Sequence, residues 1–434
     1  MTSERRMLNS SRPIRILWVG LCVLLPLNAC TCEDETGADP WALSDPWPED
    51  MSEPVLEPDM AVELDMAVEP DLPPEPVEIP PDIPWEKEVV AEVSQTQALN
   101  DRTSLGVGDD GTVWLGFHSC RDFGCAQSYL SVASREPASG DWGIEEVTPQ
   151  RGTFGLDVFG DQPWVAYLDE INGQFRVGNR SPTNGAWSLE PLPVNFTGPY
   201  DGLDITHDNS RIYVTFASSS NDPVDLFAMD LRAGVSEWFE LAKLDVGDAS
   251  AALERGLSAD DNGNLFLVHR DGDSGPYGVA RYKLRDNIWD RQSYYNNPSI
   301  IASSMVARQS GDICLSNTVS GGFIGDGTFE VTCGKINNLR RDVWGFSDET
   351  VSSYTSMIEG REGSLIVAFN TGGNSSLRVG RRYPDGTWDF RTVFDGPSYG
   401  VSTAIDTENK LWISYYTCSS GGRCTLETLR QPYE

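Results

Sequence analysis

The chain has 434 residues, with 66 Asp and Glu against 32 Lys and Arg, a formal net charge of −34. That balance argues against nucleic-acid binding, which needs a basic face to meet phosphate. About half of the net charge falls in one short segment, so the acidity says little about a ligand of the remainder.

Residues 1–29 read as a targeting segment. Arg5, Arg6, Arg12 and Arg15 precede the apolar run Ile16-Leu17-Trp18-Val19-Gly20-Leu21-Cys22-Val23-Leu24-Leu25. That run is shorter than the about 20 apolar residues of a bilayer span and suits the core of a signal peptide. It ends in Leu27-Asn28-Ala29-Cys30, which resembles the lipobox of bacterial lipoproteins. The resemblance implies cleavage before Cys30, a lipid on its sulfur and an acylated new N-terminus. Several acyl chains hold a protein stably where one is marginal. The expected address is therefore the bacterial cell envelope, with a lipid anchor in the membrane and the protein facing the periplasm or the exterior.

Residues 30–84 form a distinct tract, with no Lys or Arg between Arg15 and Lys87 and with Pro, Asp and Glu alternating with isolated apolar residues. Met60-Ala61-Val62-Glu63 recurs as Met66-Ala67-Val68-Glu69. Proline blocks helix and like charges repel, so this stretch cannot bury enough apolar surface to fold. It is expected to be a disordered acidic tether, used for solvated spacing rather than for calcium.

From residue 85 to 434 one pattern repeats. Trp85, Trp142, Trp187, Trp238, Trp289, Trp344 and Trp388 share one context. After the first gap they are spaced roughly 45–55 residues apart, the length of a four-stranded propeller blade. Each tryptophan is expected to open a fourth strand. A first strand begins each unit with a small residue, as in Ser104-Leu105-Gly106-Val107, Gly256-Leu257-Ser258-Ala259 and Ser402-Thr403-Ala404-Ile405. A tight polar turn such as Asp109-Asp110-Gly111 leads to a bulky second strand such as Val113-Trp114-Leu115-Gly116-Phe117. Small residues on every first strand fit strands crowded around an axis. The last unit ends after its third strand, while Trp85-Glu86-Lys87-Glu88-Val89-Val90 supplies a fourth strand without the other three. The expected fold is all-β: a single seven-bladed β-propeller closed by an N-terminal strand that completes the last blade. Paired β-sandwiches or a parallel β-helix would leave that displaced strand unexplained.

Six cysteines form three candidate disulfides at what reads as one place, the hairpin between second and third strands. The pairs are Cys120 with Cys125, Cys314 with Cys333, and Cys418 with Cys424, as an oxidising compartment permits. Pairs in three different blades lie too far apart for one metal ion, and no metal site is expected. Cys32 has no assigned role.

The working face of such a ring is the funnel made by the loops entering each first strand and by the second-to-third hairpins. The entering loops bring Arg102, Arg151, Tyr200, Asp201, Glu254, Arg255, Tyr354 and Tyr399. The hairpins add His118, Arg121, Asp122, Asp169, Glu170, Asp271 and Asp273. Arg102, Arg151 and Arg255 come from different blades, and guanidinium forks converging on a funnel bind carboxylates bidentately. Loop arginines ordinarily make surface ion pairs instead. Asp271-Gly272-Asp273 has the make-up of a calcium turn, although Gly-Asp is ordinary turn chemistry. No other cofactor is indicated.

Asp385-Gly386-Thr387-Trp388 and Asn184-Gly185-Ala186-Trp187 resemble the core of the Asp-box turn of sialidase-type propellers. The resemblance covers residues 85–430 in degenerate form and implies the propeller fold. The tyrosine–glutamate nucleophile pair and acid aspartate of that family match no position here. The expected function is therefore a monomeric, non-enzymatic module binding a glycan or an envelope protein. The alternative is a sialidase-like glycoside hydrolase or lyase acting on acidic glycans.

Overall fold

The computed structural model describes residues 84–94, 102–120, 127–149, 152–194, 202–217, 224–231, 237–244, 250–260, 262–270, 277–295, 300–319, 328–344, 351–371, 376–419 and 423–431. Residues 1–83, on which the expected targeting segment, Cys30, Cys32 and nearly all of the expected tether fall, lie outside them.

The described residues form seven four-stranded antiparallel sheets. Their first strands are Ser104–Val107, Phe154–Phe159, Leu203–His207, Ser250–Ala259, Ile300–Ala307, Val351–Glu359 and Tyr399–Ile405, in blades 1 to 7. Each first strand contacts that of the next blade, and the seventh contacts the first, so the ring is closed. The chain is a seven-bladed β-propeller. In blade 7 the fourth strand is Glu86–Ser94, antiparallel to the third strand Arg423–Arg430. Lys87 pairs with Glu427 across this seam at 2.8 Å. Val90 and Val93 insert beside Leu426 in the core between blades 7 and 1. The chain termini of the ring are thus joined without a covalent bond.

The core is not one mass. Seven apolar clusters lie among the described residues, one at each junction between neighbouring blades. Second strands are buried on both sheet faces, as in Val113–Cys120 and Leu365–Thr371. This accounts for their unbroken runs of bulky residues, because both neighbours must be filled. Fourth strands, such as Trp142–Pro149, are largely solvent-facing.

Serine recurs on the first strands for a more specific reason than size. An innermost strand is an edge strand, with one row of backbone groups left without a ladder. Ser104 Oγ accepts the Leu156 N–H of blade 2 at 3.2 Å. Asp204 Oδ2 accepts the Leu257 N–H of blade 4 at 2.9 Å, and Ser258 Oγ accepts that of Ala307 in blade 5 at 2.9 Å. Ser304 Oγ takes the Met357 N–H at 3.1 Å, and Ser356 Oγ takes the Thr403 N–H at 3.1 Å. Ser402 Oγ returns to blade 1 and accepts the Leu105 N–H at 3.0 Å. The remaining junction, between blades 2 and 3, is spanned by His207 Nδ1 donating to Asp157 Oδ2 at 2.6 Å. Close approach is equally necessary. A Cβ on Gly106 would meet Val158 Cγ2 of blade 2 at 2.6 Å, and one on Gly155 would meet Ile205 Cγ2 of blade 3 at 2.8 Å.

Two expectations need correction. Trp142, Trp187 and Trp388 do open fourth strands, but Trp344 ends its strand, Asn338–Trp344. There the turn is tight, with Lys335 opposite Asn338, so pairing starts six residues earlier and Leu339 packs against the core between blades 4 and 5. The disulfides Cys314–Cys333 and Cys418–Cys424 form between directly opposed residues of second and third strands. Cys120 is also disulfide-bonded, while Cys125 lies outside the described residues. The two pairs do not share one place. Cys418–Cys424 lies at the hairpin end of its strands, whereas Cys314 is the second residue of its strand and Cys333 nears the end of its own, at the opposite end of the ladder.

Two measurements test the ring. Ser356→Ala strips the acceptor from the buried Thr403 N–H, and the bond between the Ser356 and Thr403 hydroxyls at 2.9 Å is lost with it. Urea unfolding is expected to show a loss of about 1–3 kcal/mol, whereas an unchanged midpoint would rule out a stabilising role. The second measurement concerns His207. The carboxylate of Asp157 raises its pKa against the cost of burial, and Asp208 and Asp109 add to the effect. The stabilisation from a raised folded pKa is complete below the ordinary value of 6.5 and is lost as pH rises through the raised value. Wild-type stability should therefore decline across that window, and His207→Gln should remove this component of the decline.

Candidate functional site

In an antiparallel blade the first strand starts at the end where the second strand stops. One face of the ring therefore carries both the chain entering the first strands and the second-to-third hairpins. On this face the inner strands are irregular. Between Ala252 and Leu257 the register opens, the first strand advancing five residues while the second advances two, which bulges Leu253, Glu254, Arg255 and Gly256 out of the ladder. The same occurs between Val351 and Thr355, around Tyr354, and after Tyr399, where Gly400 takes a φ of 62°. Bulges re-aim side chains and favour the neighbourhood of binding sites.

Four of the nominated residues thus occupy a different setting from the one expected. Glu254, Arg255, Tyr354 and Tyr399 lie within first strands, at their bulges, rather than in entering loops. Of the first three only the backbone is described. Arg151, Tyr200, Asp201, Arg121, Asp122, Asp271 and Asp273 fall outside the described residues. Arg102 and Tyr399 are brought to one junction. The N–H and hydroxyl of Thr103, next to Arg102, donate to the carbonyl of Gly400, next to Tyr399, at 3.2 and 2.6 Å. Tyr399 also packs against the core between blades 7 and 1.

The hairpin residues have more local work. Asp169 accepts from the Asn172 side chain at 2.7 Å and pairs with Arg176 at 3.0 Å, which holds its own turn. Glu170 is exposed there, beside Ile171, a side chain left 80% exposed at the hairpin tip. His118 is not a rim residue. It is buried and meets Phe154 of blade 2 edge-on at 4.9 Å. Among the described residues no group of three or more His, Cys, Asp or Glu is placed to hold a metal ion.

The turns that suggested an Asp-box have the corresponding hydrogen bonds. Asp385 Oδ1 accepts from Thr387 N at 2.8 Å and Thr387 Oγ1 at 2.7 Å, with Gly386 at φ 90°. These bonds hold the Asp385 carboxyl below its ordinary pKa. Asn184 Oδ1 accepts from Ala186 N at 3.0 Å in the equivalent turn.

Sequence reasoning missed a second set of residues, on the outer rim. At the junction of blades 7 and 1, Arg135 Nη2 and Trp142 Nε1 both donate to Glu88, at 2.9 and 2.8 Å. The Arg135 guanidinium also lies over the Trp412 ring, 5.2 Å from its centroid. The junction of blades 1 and 2 repeats this clamp. Arg180 grips Glu145 through Nε and Nη2 at 2.9 and 2.7 Å, Trp187 Nε1 donates at 3.1 Å, and the guanidinium lies 5.5 Å from the centroid of the Trp114 ring. The Arg180 hydrogen bond lowers the Glu145 pKa, and the Glu145 hydrogen bond raises that of Arg180. The signal was present as Trp-x-x-Glu at 85–88 and 142–145, with an arginine seven residues before the second and third tryptophans.

No family model matches the chain, and no curated protein does. Among solved structures, a streptogramin B lyase is similar at 13% identity and TM-score 0.50, covering 80% of this chain and 98% of that one. Hydrazine synthase from Kuenenia stuttgartiensis is similar at 12% identity and TM-score 0.53, covering 76% and 95%. The leech intramolecular trans-sialidase is similar at 9% identity and TM-score 0.44, covering 80% and 70%, too distant to bear on activity. At such identities the likeness is one of fold, and one fold hosts unrelated chemistries.

Proposed function

We propose that this chain is an envelope lipoprotein whose propeller is a recognition module, with its ligand at the face where the first strands begin. The observation that carries the reading is the set of bulges there. They interrupt the inner strands of blades 4, 6 and 7 where Glu254, Arg255, Tyr354 and Tyr399 sit. A ring held at every junction supplies a rigid frame, so such a face is largely pre-organised and little ordering entropy opposes binding. In this reading Arg102, Arg151 and Arg255 contact an acidic glycan or an acidic surface of an envelope protein, and Tyr200, Asp201 and Glu254 add polar contacts. Cys30 carries the lipid, and the acidic tract spaces the ring from the membrane.

Binding of the intact protein to a glycan array, beside an Arg102→Ala, Arg151→Ala, Arg255→Ala triple variant, tests the face. Selective retention of acidic glycans by the wild type, weakened at least tenfold in a variant that still unfolds cooperatively, is the expected result; each lost charge-assisted hydrogen bond costs about 1.5–3 kcal/mol. Equal binding by both proteins would place recognition elsewhere, and turnover of a bound glycan would convert the module into an enzyme. The anchor has its own test. Cys30→Ala should move the protein from the membrane fraction to the soluble fraction and abolish metabolic labelling with a fatty acid.

A further inference from the structure

The outer clamp is built at two successive junctions and is incomplete at the third. Its parts follow the ladder. Trp114 of blade 1 stands opposite Ser134 on the third strand, and Trp164 of blade 2 stands opposite Asn179, its counterpart. Glu145 faces Val132 and Glu190 faces Val177, each three residues after a tryptophan. Blade 2 thus offers blade 3 the same aromatic face and carboxylate that blades 7 and 1 offer their neighbours. Blade 3 returns the tryptophan, as Trp238, but not the arginine. Arg135 and Arg180 stand opposite Trp142 and Trp187. With Ala228 opposite Phe239, the position opposite Trp238 is Met229.

The consequences are visible between blades 2 and 3. Glu190 is exposed and has no hydrogen-bond or ion-pair partner among the described residues. A cleft of about 350 Å³ opens there, lined by Trp164, Glu190, Met229, Asp230 and Trp238. Trp164 is 5% exposed. Arg211, a cation of blade 3, is directed to Asp230 at 3.5 Å. An aromatic wall with a carboxylate beside it is the arrangement that twice holds a guanidinium elsewhere in this molecule.

We propose that the cleft between blades 2 and 3 binds a guanidinium group supplied by a ligand, which takes the place Arg135 and Arg180 occupy at the two preceding junctions. The carboxylate of Glu190 accepts its N–H fork, and the tryptophan rings cover its faces. Guanidinium is preferred over ammonium, because a planar, weakly hydrated cation both stacks and donates in a fork. This site is on the outer rim and does not depend on the reading of the funnel face.

The test is a titration of the intact protein, followed by tryptophan fluorescence and calorimetry. The probes are agmatine, an acetylated and amidated arginine peptide, the same peptide with citrulline, and the same peptide with lysine. The arginine peptide is expected to bind, lysine more weakly and neutral citrulline not at all. Agmatine binding as tightly as the peptide would identify a small cation as the natural ligand class, and peptide-only binding would identify a protein arginine. Glu190→Gln should weaken binding about tenfold with the fold intact. Met229→Arg, which supplies the missing guanidinium from within, should abolish binding and raise the midpoint of unfolding. Binding of citrulline equal to that of arginine, or unchanged binding in either variant, would overturn the proposal, as would no binding of any probe.

Discussion

The structure depends on hydrogen bonds that pass from blade to blade around the axis. An inner strand has its second strand on one side and no strand on the other, so its outward-turned amides must find partners within the ring. A hydroxyl or carboxylate from the preceding blade meets that need at six junctions, and an Asp157–His207 pair spans the seventh. The donor and acceptor of each bond lie about a blade apart in sequence, or at opposite ends of the ring, so none can form until two blades are docked. Satisfying the innermost amides and closing the ring are therefore one event, and the strand from the N-terminal end completes it.

Outside this inner ring, apolar layers fill the junctions and side-chain clamps seal some of their outer edges. The clamp at Glu145 has both charges partly exposed, so its Coulombic part is screened. Its bidentate geometry and its stacking on Trp114 make it more than a simple surface pair. Where Met229 replaces the arginine, the apolar layer continues but the charge pairing stops. That leaves a carboxylate and two indoles at a cleft. The proposed funnel face and this outer cleft are independent of one another, because one lies at the start of the inner strands and the other is lined by second, third and fourth strands.

Much of the fold was legible because a propeller is periodic. Tryptophans a blade apart, small residues at the head of each unit and one strand in the wrong place account for blade count and closure. The reading failed where local sequence imitates a position without occupying it. Trp344 carries the right residue at nearly the right interval, but a shorter turn moved the strand and left Leu339 in the packed place. Cys314 and Cys333 have a spacing that suits a long hairpin, yet they close the ladder at its other end. His118 looked like a rim residue because it precedes a hairpin, although the blade 2 wall covers it. For the candidate site the sequence indicated the face but not its form. That Glu254, Arg255 and Tyr354 sit at bulges follows from a register mismatch between two strands, which neither strand encodes alone.

The sequence by itself determined the class of fold, the number of repeating units and the way the ends meet, because each follows from a period or from its interruption. The expectation of a targeting segment and a tether rests on composition alone, which is local. Only the tertiary structure decided which side chains meet across junctions: Ser402 with the Leu105 amide, Arg180 with Glu145, and Met229 with the space an arginine fills elsewhere. Those partners lie tens to hundreds of residues apart, and their contact depends on blades docking at fixed angles around an axis. No local pattern specifies that geometry, so the ring bonds, the clamps and the open cleft appear only once the propeller has closed.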